Sequence, residues 1–88
     1  MKHESHPDIV KRLKRANGHL TSVIAMIEGG RKCVDLAQQL HAVESAITNA
    51  KRALIHDHID HCLAEGVGPI ESENRAALDE FRQLAKYL

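Results

Sequence analysis

The sequence predicts an all-α chain, and three observations carry that prediction. Apolar residues recur every three or four positions through long stretches. Two glycine-rich breaks, Gly29-Gly30 and Gly66-Val67-Gly68-Pro69, divide those stretches. No segment alternates apolar and polar residues in the two-residue rhythm of a strand. The expected architecture is a three-helix protomer, an antiparallel hairpin of helices 1 and 2 followed by a short third helix. It reads as a single domain over residues 1–88, with no repeats and no low-complexity segment.

The first helix should start at Ser5-His6-Pro7-Asp8, which offers a capping residue, an early proline and an acid in the first turn. Ile9, Leu13, Ala16, Leu20, Val23 and Ile27 then mark one face until Gly29-Gly30 ends it. A second helix should begin near Cys33. Its Leu36, Leu40, Val43, Ile47, Ala50 and Leu54 step by four and three in heptad fashion. It can run to Glu65. Ser72 could cap a third helix with Ala76, Ala77, Phe81, Leu84 and Leu88 on its apolar side. The short turn makes helices 1 and 2 antiparallel, so facing residues carry numbers that sum to about 61. Lys11 then lies beside Lys51 and Arg52, His3 beside His58, and His6 beside Ile55 and His56.

With no Trp, one Phe and one Tyr among 88 residues, the core must be built from Leu, Ile, Val and Ala. Such a core is thin for a lone protomer of this size, and oligomerisation is the usual remedy. No apolar run reaches membrane-spanning length, nothing resembles a signal peptide, and no membrane role is expected. Two cysteines without an export signal read as thiols, which points to the cytoplasm. The net charge of zero hides an asymmetry. Residues 1–55 hold nine Lys/Arg against five Asp/Glu, and residues 56–88 hold three against seven. The basic half suits a polyanion while the acidic half stays in solvent.

Cys33 stands apart from a downstream His58-x-x-x-Cys62. Four residues apart on a helix, His58 and Cys62 share a face, and imidazole plus thiolate there can grip a soft or borderline metal. Along one unbroken helix, Cys33 would stand roughly 37 Å from His58. Metal–ligand bonds are about 2.0–2.3 Å long. Either the helix breaks, or Cys33 meets the pair from a second copy. Two second helices crossing antiparallel near residue 47 would make two equivalent sites. Ala42, Ser45, Ala46 and Ala50 are small enough for close approach at that crossing. His3 or His6 could add a nitrogen, and His61 lies about 100° round the helix from Cys62. A His-x-x-x-Cys alone is more often surface or core, but the second cysteine at the antiparallel spacing favours a metal site. Two sulfurs and one nitrogen suit Cu(I), a square plane of two and two suits Ni(II), and Zn(II) would want a tetrahedral fourth ligand. His19, His41 and His56 are expected at the surface or an interface.

Lys11, Arg12, Lys14 and Arg15 span helix 1, and Lys51-Arg52 extends that basic surface. Lys/Arg clusters of this kind hold phosphate backbones. Without aromatic residues among them for stacking single strands, and without a helix-turn-helix or zinc-finger pattern, double-stranded DNA read by backbone and groove shape fits best. An enzyme is not expected. Asp57 and Asp60 project away from His58, and a rod of helices with few aromatics offers little substrate pocket.

With those residues in place, the chain resembles the metal-responsive repressors of the CsoR/RcnR family over residues 7–65. The resemblance rests on Arg-Leu-Lys-Arg-Ala-Asn-Gly-His at 12–19, Cys-Val-Asp-Leu-Ala-Gln-Gln-Leu at 33–40 and His-Asp-His-Ile-Asp-His-Cys-Leu at 56–63. It implies a three-helix protomer that dimerises antiparallel and pairs into a homotetramer. It implies an apo form that binds operator DNA, and release when metal binds across the dimer interface, derepressing efflux or resistance genes. It makes Cys33, His58 and Cys62 metal ligands, with His3 as the amino-terminal candidate. It places Arg12 and Arg52 on the DNA surface, with Lys11, Lys14 and Arg15 around them. Lys32 stands where the family's copper sensors commonly carry Tyr, which tilts the effector from Cu(I) toward Ni(II). Cys62 argues against the formaldehyde-sensing branch and His58 against the persulfide-sensing one. The alternative is a thiol or persulfide redox sensor that links Cys33 and Cys62 of two chains.

Overall fold

The computed structural model describes the backbone of residues 6–65 and 72–88, and the side chains of 6–61 and 75–88. Three helices account for it: α1 over His6–Glu28, α2 over Cys33–Glu65 and α3 over Ser72–Ala85. Among the described residues there is no strand. The predicted stop at residues 66–69 lies outside the described residues.

The α1–α2 turn follows from glycine chemistry. Gly30 sits at φ +80°, in the left-handed region. Its N–H donates to the Ile27 carbonyl at 3.1 Å, and the Arg31 N–H reaches back to the Met26 carbonyl at 3.1 Å. This pair of bonds is the Schellman closure of a helix, which satisfies carbonyls that α1 would otherwise leave open. α2 then starts at once, with the Leu36 N–H donating to the Lys32 carbonyl at 3.1 Å. Asp35 in its first turn faces the positive end of the helix dipole.

The apolar pattern of each hairpin helix divides into two columns. Ile9, Ala16 and Val23, seven residues apart, are buried on α1, and Val43 and Ala50 are buried on α2. Their numbers sum to 59 across the hairpin (16 with 43, 9 with 50), close to the register expected from the turn. The second column stays open: Leu13, Leu20 and Ile27 on α1, and Leu40, Ile47 and Leu54 on α2, are each more than a third exposed. What reads in sequence as one heptad seam on α2 is therefore two stripes, one packed on α1 and one facing outward.

The reason lies in the dimensions. The protomer measures 60 × 23 × 13 Å, and a helix with its side chains is about 10–12 Å across. The hairpin is one helix thick and two helices wide. A single layer cannot enclose both columns, and stable cores need two layers. α3 packs on α2, with Ala77, Phe81 and Leu84 half-buried, while the predicted apolar residues Ala76 and Leu88 are exposed.

Candidate functional site

α2 runs unbroken from Cys33 to Glu65, so the helix does not fold back to bring its two thiol-bearing ends together. Cys33, a free and exposed cysteine, stays about 37 Å along the axis from His58. At 100° per residue, Cys33, Leu40, Ile47, Leu54, His58 and the Cα of Cys62 fall within an arc of about 80°. The open apolar stripe of α2 is thus bracketed by a cysteine at one end and the His58/Cys62 pair at the other. Of the four predicted ligands, His3 lies outside the described residues, and so does the side chain of Cys62. Among the described residues, no three His, Cys, Asp or Glu side chains gather in one protomer in an arrangement that could hold a metal. The donors that share the stripe, a thiol and an imidazole, are nevertheless the soft and borderline types that suit Cu(I) and Ni(II).

His58 is largely covered, with 18% of its side chain exposed, and its Nε2 faces Oε1 of Glu80 on α3 at 3.5 Å. A carboxylate at that distance from one ring nitrogen favours this orientation of the imidazole electrostatically. His61 and Asp57, one turn apart, stand at 3.8 Å on the neighbouring face. Sequence reasoning did not find Glu80, because no spacing rule fixes where a third helix lands on the second.

The small residues expected at the α2 crossing point elsewhere. Ala50 is 1% exposed and spent against α1, and Ala46 faces the opposite flank, where it lines a groove. The side chains at residue 47 and one heptad to either side are Leu40, Ile47 and Leu54, larger than the anticipated alanines.

All six basic candidates, Lys11, Arg12, Lys14, Arg15, Lys51 and Arg52, are exposed. They do not share one face. Arg12 and Arg15 line a groove of about 280 Å³ between α1 and α2, together with Ala16, His19, Ala46 and Asn49. Arg12 Nε also meets Asp8 Oδ2 at 3.2 Å, an exposed pair. By helical phase, Lys11, Lys14 and Arg52 point outward from the hairpin, and Lys51, five full turns from Cys33, falls within the arc of the open stripe. His19, expected at a surface or interface, bridges the helices through a 2.6 Å hydrogen bond between its Nε2 and Gln39 Oε1.

Known proteins resemble this chain along most of its length. It is 37% identical over 78 residues to the copper-sensing transcriptional repressor CsoR of Mycobacterium ulcerans, covering 89% of this chain and 65% of that protein. It is 35% identical over 80 residues to CsoR of Bacillus subtilis, covering 89% of this chain and 79% of the relative. The chain therefore spans slightly under two thirds of the mycobacterial relative and more of the bacillar one. Among solved structures, the nickel-responsive transcriptional regulator InrS superposes with a TM-score of 0.82 at 27% identity, covering 100% of this chain and 98% of that one. The family model for the metal-sensitive transcriptional repressor matches residues 5–87. Hairpin, bracketed stripe and family model agree, and the chain belongs to the metal-sensitive transcriptional repressor family.

Proposed function

We propose that the chain is a metal-responsive transcriptional repressor of the cytoplasm, acting over residues 1–88 as one metal-sensing, DNA-binding domain. It is not an enzyme. The apo form binds double-stranded operator DNA through Lys11, Arg12, Lys14, Arg15, Lys51 and Arg52. Its effector is Ni(II) or Cu(I), with nickel favoured by Lys32 beside the first cysteine. Cys33 of one copy and His58 and Cys62 of a second would hold the ion, with His3 able to supply a further nitrogen. Two hairpins form a homodimer and two dimers a homotetramer. Bound metal weakens DNA affinity and releases genes for metal efflux or resistance.

One observation carries this reading: the spacing of the open stripe on α2. Ile47 lies seven residues from Leu40 and from Leu54, and fourteen from Cys33. An antiparallel pairing about residue 47 sets Leu40 against Leu54, Ile47 against itself, and position 33 against position 61, between His58 and Cys62. The same contact that covers the exposed leucines completes the ligand set. Relatives that sense copper and a neighbour that responds to nickel support a metal effector over the redox alternative.

Anaerobic titration with Ni(II) and Cu(I) under chelator competition, followed by absorption, tests it. About one ion per chain should bind, with a coupling to DNA affinity of order 1–3 kcal/mol. Square-planar nickel thiolate bands would identify nickel, and featureless spectra with tight cuprous binding would identify copper. Unchanged DNA affinity with both metals bound would refute the reading.

A further inference from the structure

The flank of the hairpin opposite the open stripe carries a second feature. Ala16, 5% exposed, and half-buried Ala46 set the floor of the α1–α2 groove low. Arg12 and Arg15 rise from α1 on one side and Asn49 from α2 on the other. At about 280 Å³, the groove holds on the order of nine waters' share of liquid volume. The 2.6 Å bond between His19 and Gln39 ties the helices together at one end, so the walls are braced. By helical phase, Ala46 and Asn49 sit at least 80° or so from every residue of the stripe. Covering the stripe with a second copy leaves this groove open.

Two guanidinium groups present planar forks that match phosphate oxygens, and a carboxamide can add a neutral N–H donor. Asp8 engages Arg12 through Nε, which leaves the two terminal nitrogens of that fork to donate to a phosphate. Building on the repressor reading, we propose that Ala46 and Asn49 complete a seat for one DNA phosphodiester between Arg12 and Arg15. Asn49 is its uncharged contact, and Ala46 keeps the floor low enough for the phosphate to enter. Neither residue belongs to the basic surface that charge alone picks out.

The distinction can be measured, because a neutral hydrogen bond displaces no counterion. Each phosphate contact by a cation contributes about one to the slope of log affinity against log salt. The experiment uses the full chain and a fluorescein-labelled duplex of random sequence, followed by anisotropy between 50 and 200 mM salt, since phosphate contacts dominate non-specific binding. Arg12→Ala should weaken binding and lower the salt slope by about one. Asn49→Ala should weaken binding about tenfold with the slope unchanged. Ala46→Leu should weaken it at least as much, while Ala46→Ser keeps wild-type affinity. Asn49 is exposed, so its variant tests the idea even where a leucine at 46 disturbs the fold. Wild-type affinity in Asn49→Ala would overturn the groove and leave the repressor reading standing. No binding by the wild-type chain would overturn both.

Discussion

Ile47→Lys puts a charge where the open stripe of α2 would meet its own copy. Ile47 is 45% exposed in the protomer, so the change costs the isolated hairpin little. Full burial of an isoleucine side chain is worth about 1.5–3 kcal/mol, so hiding the remaining half contributes roughly 0.7–1.4 kcal/mol. A two-fold contact counts it twice. Leu40 and Leu54, 44% and 40% exposed, raise the stripe's total to about 4–8 kcal/mol for six side chains per pair. That gain is comparable to the low end of the roughly 4–15 kcal/mol lost on association, so the assembly cannot spare its central residue. Lysine removes the isoleucine share and sets two ammonium groups together, a further penalty of about 1–4 kcal/mol at contact distance. Dissociation should strengthen by about two orders of magnitude or more. Sedimentation velocity across a micromolar dilution series reads the association state, and a parallel metal titration reads the site. Both should fail together. A variant that stays associated and binds metal as before would refute the pairing of α2 about residue 47, and with it the shared site.

Other consequences are simpler to check. Cys33→Ala should keep DNA affinity and lose release by metal, read by anisotropy with and without the ion; an intact metal response would show that the ligand set is misassigned. Glu80→Gln, which removes the charge 3.5 Å from His58, should lower metal affinity about tenfold or more in chelator competition. Its circular dichroism should match wild type. Gly30→Ala forces a side-chain-bearing residue to φ +80°. A Cβ there meets nothing within 4 Å, so the cost is conformational, about 1–2 kcal/mol in urea unfolding. Metal at a hundredfold over its dissociation constant should stabilise the folded protein by about 2.7 kcal/mol, and a chelator should reverse the rise in Tm.

The hairpin was legible because its signals are local. Gly30, at φ +80°, supplies the left-handed backbone that lets α1 close with the Arg31 and Gly30 N–H groups turned back on Met26 and Ile27. A short turn then leaves the chain no register but an antiparallel one. The ligand candidates were legible for a similar reason, since fixed spacing on a long helix fixes both phase and separation. Which apolar residues face inward was not. Leu40 and Val43 look alike in a heptad pattern, yet one is 44% and the other 4% exposed.

From the amino-acid order alone came three helices, their order and direction, and the conclusion that Cys33 and His58 cannot share an ion within one chain unless the second helix breaks. Those follow from helix rise and periodicity, which depend only on neighbours along the chain. The fold decided the rest: which column of each helix faces the hairpin, that Ala46 borders a groove instead of a crossing, and that Glu80 stands behind His58. Those depend on how two cylinders lie side by side and where a third comes to rest, and the one-layer thickness leaves a bracketed apolar stripe for something else to cover.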